Sequence, residues 1–514
     1  MKRVLLSLLC FSLLVFALSG VSYGWQGRMG GAGDPYGLLQ DESDFLIHPA
    51  KIANGEGIKF YGHYRFTYTD VTDWDYDLDW LTLTGALLDF YHYNGSGQEY
   101  SHNALLGAAT PLGPGRFGIF FTYDGMRGDY DGDEDIFGIS NFSEYDLSSD
   151  FDSFALRLLY GLPIGGFNLG GEVQFAHRQE KNESWVQTID PFGFLNYTLG
   201  MDSPDINVLP FLIPYDSSYW EALFKGSLEG MVGPLDLEFT LRGGFIFGGD
   251  NNFVQERDIP VGTINALADL DGDVTGWLIG GDLWLRYALA NDLILPFLVR
   301  IDYQSKARDA DGPGQYGWSP WTDVTYETEE KGLHIVVGGG VNKELGTGTK
   351  IAAGIYYNYL QGENRIEQHV APFTIEYFDS SESPDSTEHQ VMLRLAGELG
   401  LSPEVTLRMG LTPFFGWVGE DYEFTYSFGT VPQYTDNISL DGYRWGIGAS
   451  LGGSVQFDSF TLEPFINGGW QQIDLDGDGE ETIAGFGIGS LWGMDLSRDE
   501  WYIGGGCSFL YDLP

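Results

Sequence analysis

Basic residues, cysteines and long apolar segments are all scarce in this chain. Its 514 residues hold 26 Lys and Arg against 74 Asp and Glu, a formal charge of −48. So acidic a balance disfavours binding to nucleic-acid phosphates or anionic membrane surfaces by charge, and no nucleic-acid partner is expected. Of the two cysteines, Cys10 falls in a leader-like segment. Cys507 is then single, which rules out an internal disulfide or a cysteine-based metal site. Beyond residue 24 no apolar run reaches the roughly 20 residues of a membrane helix. Catalytic spacings are missing as well. The eight histidines, His48, His63, His92, His102, His177, His334, His369 and His389, form neither HxxxH nor HExxH, and there is no GxSxG elbow or Walker-type loop. No enzyme is expected, and a strand histidine such as His63 or His334 reads as structural.

At the N-terminus, Lys2 and Arg3 precede an apolar run from Val4 to about Leu18, followed by Ser22, Tyr23 and Gly24. A basic start, a short apolar stretch and a small-residue exit are the layout of a secretory signal, with residues 1–24 removed after Gly24. A retained membrane helix is the alternative, since the run approaches the lower limit for spanning. Leu9 is too large for a lipobox before Cys10, so lipid attachment is not expected.

What the chain has in abundance is glycine, 73 residues, and aromatics, at 15%. It lacks the long Ala/Glu/Lys/Leu stretches of helical proteins, and reads as all-β. Period-2 alternation is strong in 58–68, 293–304, 391–401 and 443–457. In the second of these, Leu293, Leu295, Phe297, Val299, Ile301 and Tyr303 alternate with a row holding Arg300 and Asp302. Short turns at Leu112–Gly115, Pro163–Gly166, Met231–Pro234, Ala290–Asp292, Leu345–Thr349, Ser402–Glu404 and Asp458–Ser459 alternate with long polar segments near 127–150, 181–217, 250–273, 307–328, 369–386, 421–440 and 474–499. A barrel strand shows lipid only every second residue, so it escapes a hydropathy average, and tight turns facing long loops mark an outer-membrane barrel. The expectation is a transmembrane antiparallel β-barrel of about 16 strands, range 14–18, over 57–514, preceded by a periplasmic or plug segment over 25–56. A soluble sandwich or propeller would not keep the short–long rhythm. Residues 80–98 and 480–494 are assigned to external loops.

If the apolar rows face lipid, the alternate rows face the lumen and carry Arg65, Glu221, Lys225, Glu238, Arg242, Asp282, Arg300, Glu398, Arg408 and Arg444. The turn at Ser402–Glu404 sets Glu398 opposite Arg408, and that at Ala290–Asp292 sets Asp282 opposite Arg300. A four-residue connection at Met231–Pro234 would set Lys225 against Glu238 and Glu221 against Arg242. It is preferred to a two-residue turn that sets Glu229 against Asp236, a like-charge clash. These charges either neutralise one another as part of the wall, or narrow the pore and line a solute path.

Segments of DxDG type recur at Asp129–Asp133, Asp269–Asp273, Asp309–Gly312 and Asp474–Gly479. Asp474, Asp476, Asp478 and Gly479 keep the spacing that opens a Ca²⁺ loop, although Gly485 stands where a bidentate Glu belongs. Weak Ca²⁺ binding in external loops is weighed against plain acidic solvated loops, and no other cofactor is expected. At the other end of the chain, Gly504-x-Gly506-x-x-Phe509-x-Tyr511 is similar to the β-signal read by barrel-assembly machinery, with Asp512, Leu513 and Pro514 following it.

Arg28-Met29-Gly30-Gly31-Ala32-Gly33, then Leu39, Asp41, Asp44 and His48-Pro49-Ala50, resembles the N-terminal signature of FadL/PorV-like outer-membrane proteins, with His48 in place of the usual Asn. The resemblance implies a plug built from Gly30 to Ala50 and a barrel that passes hydrophobic molecules. Two functional classes follow. One is a porin-like or FadL-like channel for small solutes, hydrophobic ones included; the other is a non-transporting barrel that scaffolds secretion or anchors surface loops. Outer-membrane lipid and the assembly machinery are the expected partners.

Overall fold

The computed structural model describes residues 42–513 apart from 82–86, 137–138, 189–196, 202–215, 257–265, 290–291, 317–321, 347, 372–377, 429–430 and 484–487. The expected signal peptide and the stretch Gly30, Gly31, Ala32 and Gly33 lie outside the described residues. Two 3-10 turns, Glu42–Leu46 and Pro49–Asn54, lead into seventeen strands. These are β1 Ile58–Leu81, β2 Leu87–Leu112, β3 Gly115–Ile136, β4 Ile139–Ile164, β5 Phe167–Thr188, β6 Tyr197–Met201, β7 Asp216–Val232, β8 Leu235–Glu256 and β9 Ala266–Leu289. They continue with β10 Leu293–Tyr316, β11 Thr322–Glu344, β12 Thr349–Ala371, β13 Phe378–Gly400, β14 Val405–Phe428, β15 Val431–Phe457, β16 Phe460–Ile483 and β17 Ile488–Leu513.

Sixteen of these form a closed antiparallel barrel. Each pairs with its chain neighbours, β5 reaches past the short β6 to β7, and β17 returns to β1 with Ile58 opposite Leu513. Closure removes the open sheet edge that hydrocarbon cannot satisfy. At one end the strands join by tight turns. In β2–β3 and β7–β8 the turn is Gly-Pro, with Gly113 and Gly233 at φ 60 and 63. A positive φ followed by proline's fixed φ is a type II′ geometry, whose twist matches the flanking strands.

The apolar rows point outward. Val391, Leu393, Leu395 and Leu399 on β13, Leu401 just beyond it, and Tyr443, Trp445, Ile447, Leu451 and Phe457 on β15, are 36–61% exposed. Equivalent rows run round the barrel, through Phe297 and Ile301 on β10, Ile355 and Tyr357 on β12 and Trp501 and Ile503 on β17. Each fully buried side chain of this size would be worth roughly 1.5–3 kcal/mol, so a continuous outward apolar band requires an apolar medium around it. Where the band ends away from the tight turns, rings gather: Trp445–Trp470 at 4.6 Å, Tyr68–Trp501 at 5.5 Å and Trp277–Tyr303 at 5.2 Å between centroids. This is an aromatic girdle at a lipid–water boundary.

Beyond the girdle the structure corrects the expectation of loops. Most of 127–150, 307–328, 421–440 and 474–499 is strand, and the hairpins β1–β2 and β16–β17 run through much of 80–98 and 480–494. Apart from β6 and the 17-residue β7, the strands hold 22–27 residues. Crossing a membrane takes only about 9–11. The remainder forms a β-collar standing clear of the lipid band. These segments read as loops because their outward rows are polar, while their inward rows mix buried apolar residues such as Leu270, Val324, Leu440 and Leu475 with Arg308, Glu330 and Glu500, so that neither row is apolar throughout.

Candidate functional site

The site is the lumen and the segment lodged in it. Residues Asp44 to Ala50 and Ile52 are buried inside the barrel, with Leu46 and Ala50 wholly enclosed. Phe45 packs against Tyr61 of β1 and Phe120 of β3 with centroids 5.2 and 5.3 Å away, and Leu105 and Leu159 complete that cluster. The backbone is held by the wall. Arg157 Nη2 donates to the Leu46 carbonyl at 2.6 Å, and the Ala50 N–H donates to Ser227 Oγ at 2.6 Å. Below them, Asn54 Nδ2 donates to Glu229 Oε2 at 2.9 Å and Asn168 Nδ2 to Asn54 Oδ1 at 2.7 Å.

Three wall glycines make the seat. A Cβ on Gly170 would lie 2.0 Å from the Ala50 nitrogen, one on Gly161 2.6 Å from Ile52, and one on Gly118 2.7 Å from Ile52. Glycine inside a strand often marks close approach of another backbone, and that signal at Gly170 was open to sequence reading. What the sequence could not supply was the approaching partner, more than a hundred residues away.

The polar half of the box is electrostatic. His48 Nδ1 lies 2.7 Å from Thr240 Oγ1, and its Nε2 is 3.4 Å from Glu238. Lys51 Nζ joins Glu238 at 2.9 Å and Asp44 at 2.8 Å, and Arg286 binds Glu238 from the other side. Burial in this segment, which crosses no membrane itself, holds the His48 imidazole down to about 4 despite Glu238 beside it. The neutral ring is therefore the docked form.

Around the plug the wall carries a belt of ion pairs. Arg242 reaches Asp282 at 2.6 Å and Asp302 at 2.5 Å, and Arg300 also reaches Asp282 at 2.5 Å. Arg157 and Lys225 share Glu172 at 2.7 and 3.4 Å, and Arg178 meets Glu221 at 2.9 Å. Elsewhere Arg408 joins Glu398 at 3.0 Å and Glu463 at 2.8 Å, while Arg444 joins Glu388 at 3.1 Å and Gln471. Arg65 is half-buried on the inner row of β1. Sequence reading did not single out Lys51, Arg157, Glu172, Thr240 or Arg286.

Two registers follow the turns as expected: Glu398 pairs with Arg408 and Asp282 with Arg300. The β7–β8 register is a correction. Val232 pairs with Leu235, so Lys225 faces Arg242 and Glu229 faces Glu238; neither Lys225–Glu238 nor Glu221–Arg242 forms as a cross-strand pair. The Gly-Pro turn fixes this, and the like charges coexist because their counterions come from other strands and from the plug. A second correction concerns Asp474, Asp476 and Asp478. They sit on β16 in regular pairing with β15 and β17, so their side chains stand about 7 Å apart along one face and do not converge on an ion at 2.3–2.6 Å. Among the described residues no group of three or more His, Cys, Asp or Glu is placed to hold a metal.

The described residues thus form a sixteen-strand barrel closed around the chain's own N-terminal segment. Solved structures similar to the chain include a deltaS2S3 mutant of the TodX monoaromatic hydrocarbon channel, with 13% identity, 95% of this chain and 99% of that chain covered, and a TM-score of 0.45. A Pseudomonas aeruginosa FadL homologue has 10% identity, 95% and 98% coverage and a TM-score of 0.41. The P. putida toluene transporter TodX has 12% identity, 96% and 99% coverage and a TM-score of 0.38. No family model and no curated protein sequence matches the chain.

Proposed function

We propose that this chain is a bacterial outer-membrane channel for small solutes, kept narrow by its own N-terminal segment. The observation that supports this most directly is the way the plug is held. Apart from its chain link to β1, it rests on glycine seats, one apolar cluster and polar contacts, with no covalent cross-link to the wall among the described residues, so it can leave the wall without breaking the barrel. The outward apolar band and the aromatic girdle support the membrane setting. Insertion would proceed through assembly machinery reading Gly504, Gly506, Phe509 and Tyr511 on β17. Planar-bilayer conductance of the full chain, and of a chain lacking 25–56, tests the reading, with heat-modifiable gel mobility showing that both are folded. Conductance rising several-fold on deletion supports it. A folded deletion variant that stays sealed overturns it in favour of a barrel that scaffolds secretion or anchors surface structure, for which a co-purifying partner is the sign.

A further inference from the structure

We infer that the channel has a second closure in series with the plug, made by two ion clusters of the wall at the base of the collar, and that these clusters set its conductance once the plug has moved. The inference rests on the channel reading above and adds the residues that limit flow. The height of this layer is fixed by the girdle. Tyr219 precedes Trp220, Arg444 precedes Trp445, Gln471 follows Trp470 and Glu500 precedes Trp501. On each of these strands a ring turned outward has a polar neighbour turned inward.

The first cluster cuts across the lumen. Glu180 on β5 meets Lys306 Nζ at 2.7 Å and Arg308 Nη2 at 2.5 Å, both from β10. In the barrel β7, β8 and β9 lie between β5 and β10, about 19 Å along the wall at the usual strand spacing. The bond is therefore a chord, and Gly276, opposite Lys306, places no side chain beneath it. Tyr219 on β7 donates to Glu180 and has Lys306 Nζ 4.7 Å from its ring centroid, while Arg308 also binds Glu330 on β11. The second cluster occupies the other side. Arg444 on β15 donates to Glu388 on β13 at 3.1 Å and to Gln471 on β16 at 2.9 Å, and Gln471 donates to Glu500 on β17. Arg498 joins Glu500 at 2.5 Å and attracts Glu99 on β2, to which Tyr130 on β3 donates.

These groups point into the lumen, where an open pore would wet them. Yet Glu99, Lys306, Arg308, Glu330, Glu388 and Arg498 are each at most 9% exposed. Farther from the tight turns, Val274, Ala310, Leu440, Leu475 and Leu496 are buried as well. A purely apolar closure would hold itself shut. An ionic one does not, because the cost of drying two charges offsets most of their attraction. The dry cluster and its parted, hydrated form are therefore close in free energy, and water from the lumen exchanges one for the other. Long Lys and Arg side chains that meet across the lumen can fold back along their own strands without moving the barrel.

Planar-bilayer conductance of four chains tests the series arrangement: the full chain and the chain lacking 25–56, each with and without the double substitution Glu180→Ser, Lys306→Ser. In the full chain the plug limits flow, and the double substitution should change conductance less than twofold. In the chain lacking 25–56 it should raise conductance at least threefold. Glu388→Ser with Arg444→Ser, which parts the other cluster, should also raise it in that chain. Phe175→Leu with Ile301→Val, on the lipid faces of β5 and β10, should leave it unchanged. Heat-modifiable gel mobility shows that each barrel is folded. If the folded plug-deleted chain conducts equally with either cluster intact or removed, the second closure does not exist, and the channel reading stands without it. If that chain stays sealed in every form, the channel reading itself has failed and the inference with it.

Discussion

Gly170 is where the plug backbone comes down on the barrel wall. A Cβ there would lie 2.0 Å from a backbone nitrogen, which cannot swing aside as a side chain can. Gly170→Ala should therefore unseat the plug and raise conductance toward that of the plug-deleted chain. Gly171→Ala is the matched control, because the nearest atom its Cβ would meet, the Lys225 carbonyl oxygen, is 3.8 Å away. Glu238 acts by charge. Glu238→Gln leaves Lys51 and Arg286 buried with a neutral partner, and breaking such a pair costs about 3–5 kcal/mol. Faster protease cleavage within 42–54 of the otherwise folded barrel is the expected readout. His48 adds a pH dependence whose sign is fixed. Its docked value of about 4 lies below the 6.5 of a free histidine, so protons bind the released plug first. Docking should weaken about tenfold per unit as pH falls from 6.5 towards 4. Conductance measured over that range should rise, and His48→Asn should flatten the rise.

At the level of strands, the seam between first and last carries the closure. Phe509, part of the signal-like C-terminal pattern, lies over Gly62 of β1, where a Cβ would come within 2.0 Å of the ring. Aromatic cover of a strand glycine pins register. Gly62→Leu should lower the temperature at which the folded barrel loses its fast gel mobility, by several degrees. Much of this layer was legible in the sequence. Rows such as Leu295, Phe297 and Ile301 repeat every second residue because one face meets lipid, and the short Ser402–Glu404 turn leaves a single good pairing for Leu399, with Leu407. The β7–β8 register was not legible by the same logic. Judging a turn by its directly opposed charges fails when Lys225 is neutralised by Glu172 on β5 and Glu238 by Lys51 of the plug. The collar was hidden for a different reason. Its outward rows are polar and its buried inward rows mix Leu270, Val324 and Leu440 with Arg308, Glu330 and Glu500, so no apolar row announces it.

Across the whole molecule, the net charge of −48 has a place. Above the girdle the outward rows turn from rings to carboxylates, and these meet across strands: Asp273 with Asp309, Asp271 with Asp311, and Asp476 with both Asp441 and Asp495. Like charges directly opposed weaken a sheet by a few tenths to about 1 kcal/mol per pair. The collar tolerates them because it is long, well hydrogen-bonded and surrounded by electrolyte, whose screening length is about 10 Å at 0.1 M. Barrel thermal stability should then rise with NaCl between 10 and 300 mM, and replacing Asp271 and Asp476 by Asn should flatten that dependence. The same titration discriminates screening from binding. Carboxylates spread along strands present a charge density and no coordination shell, so Ca²⁺ at matched ionic strength should stabilise no more than Na⁺. A Ca²⁺-specific shift lost in Asp476→Asn would mean that the hairpin β16–β17 folds around an ion after all.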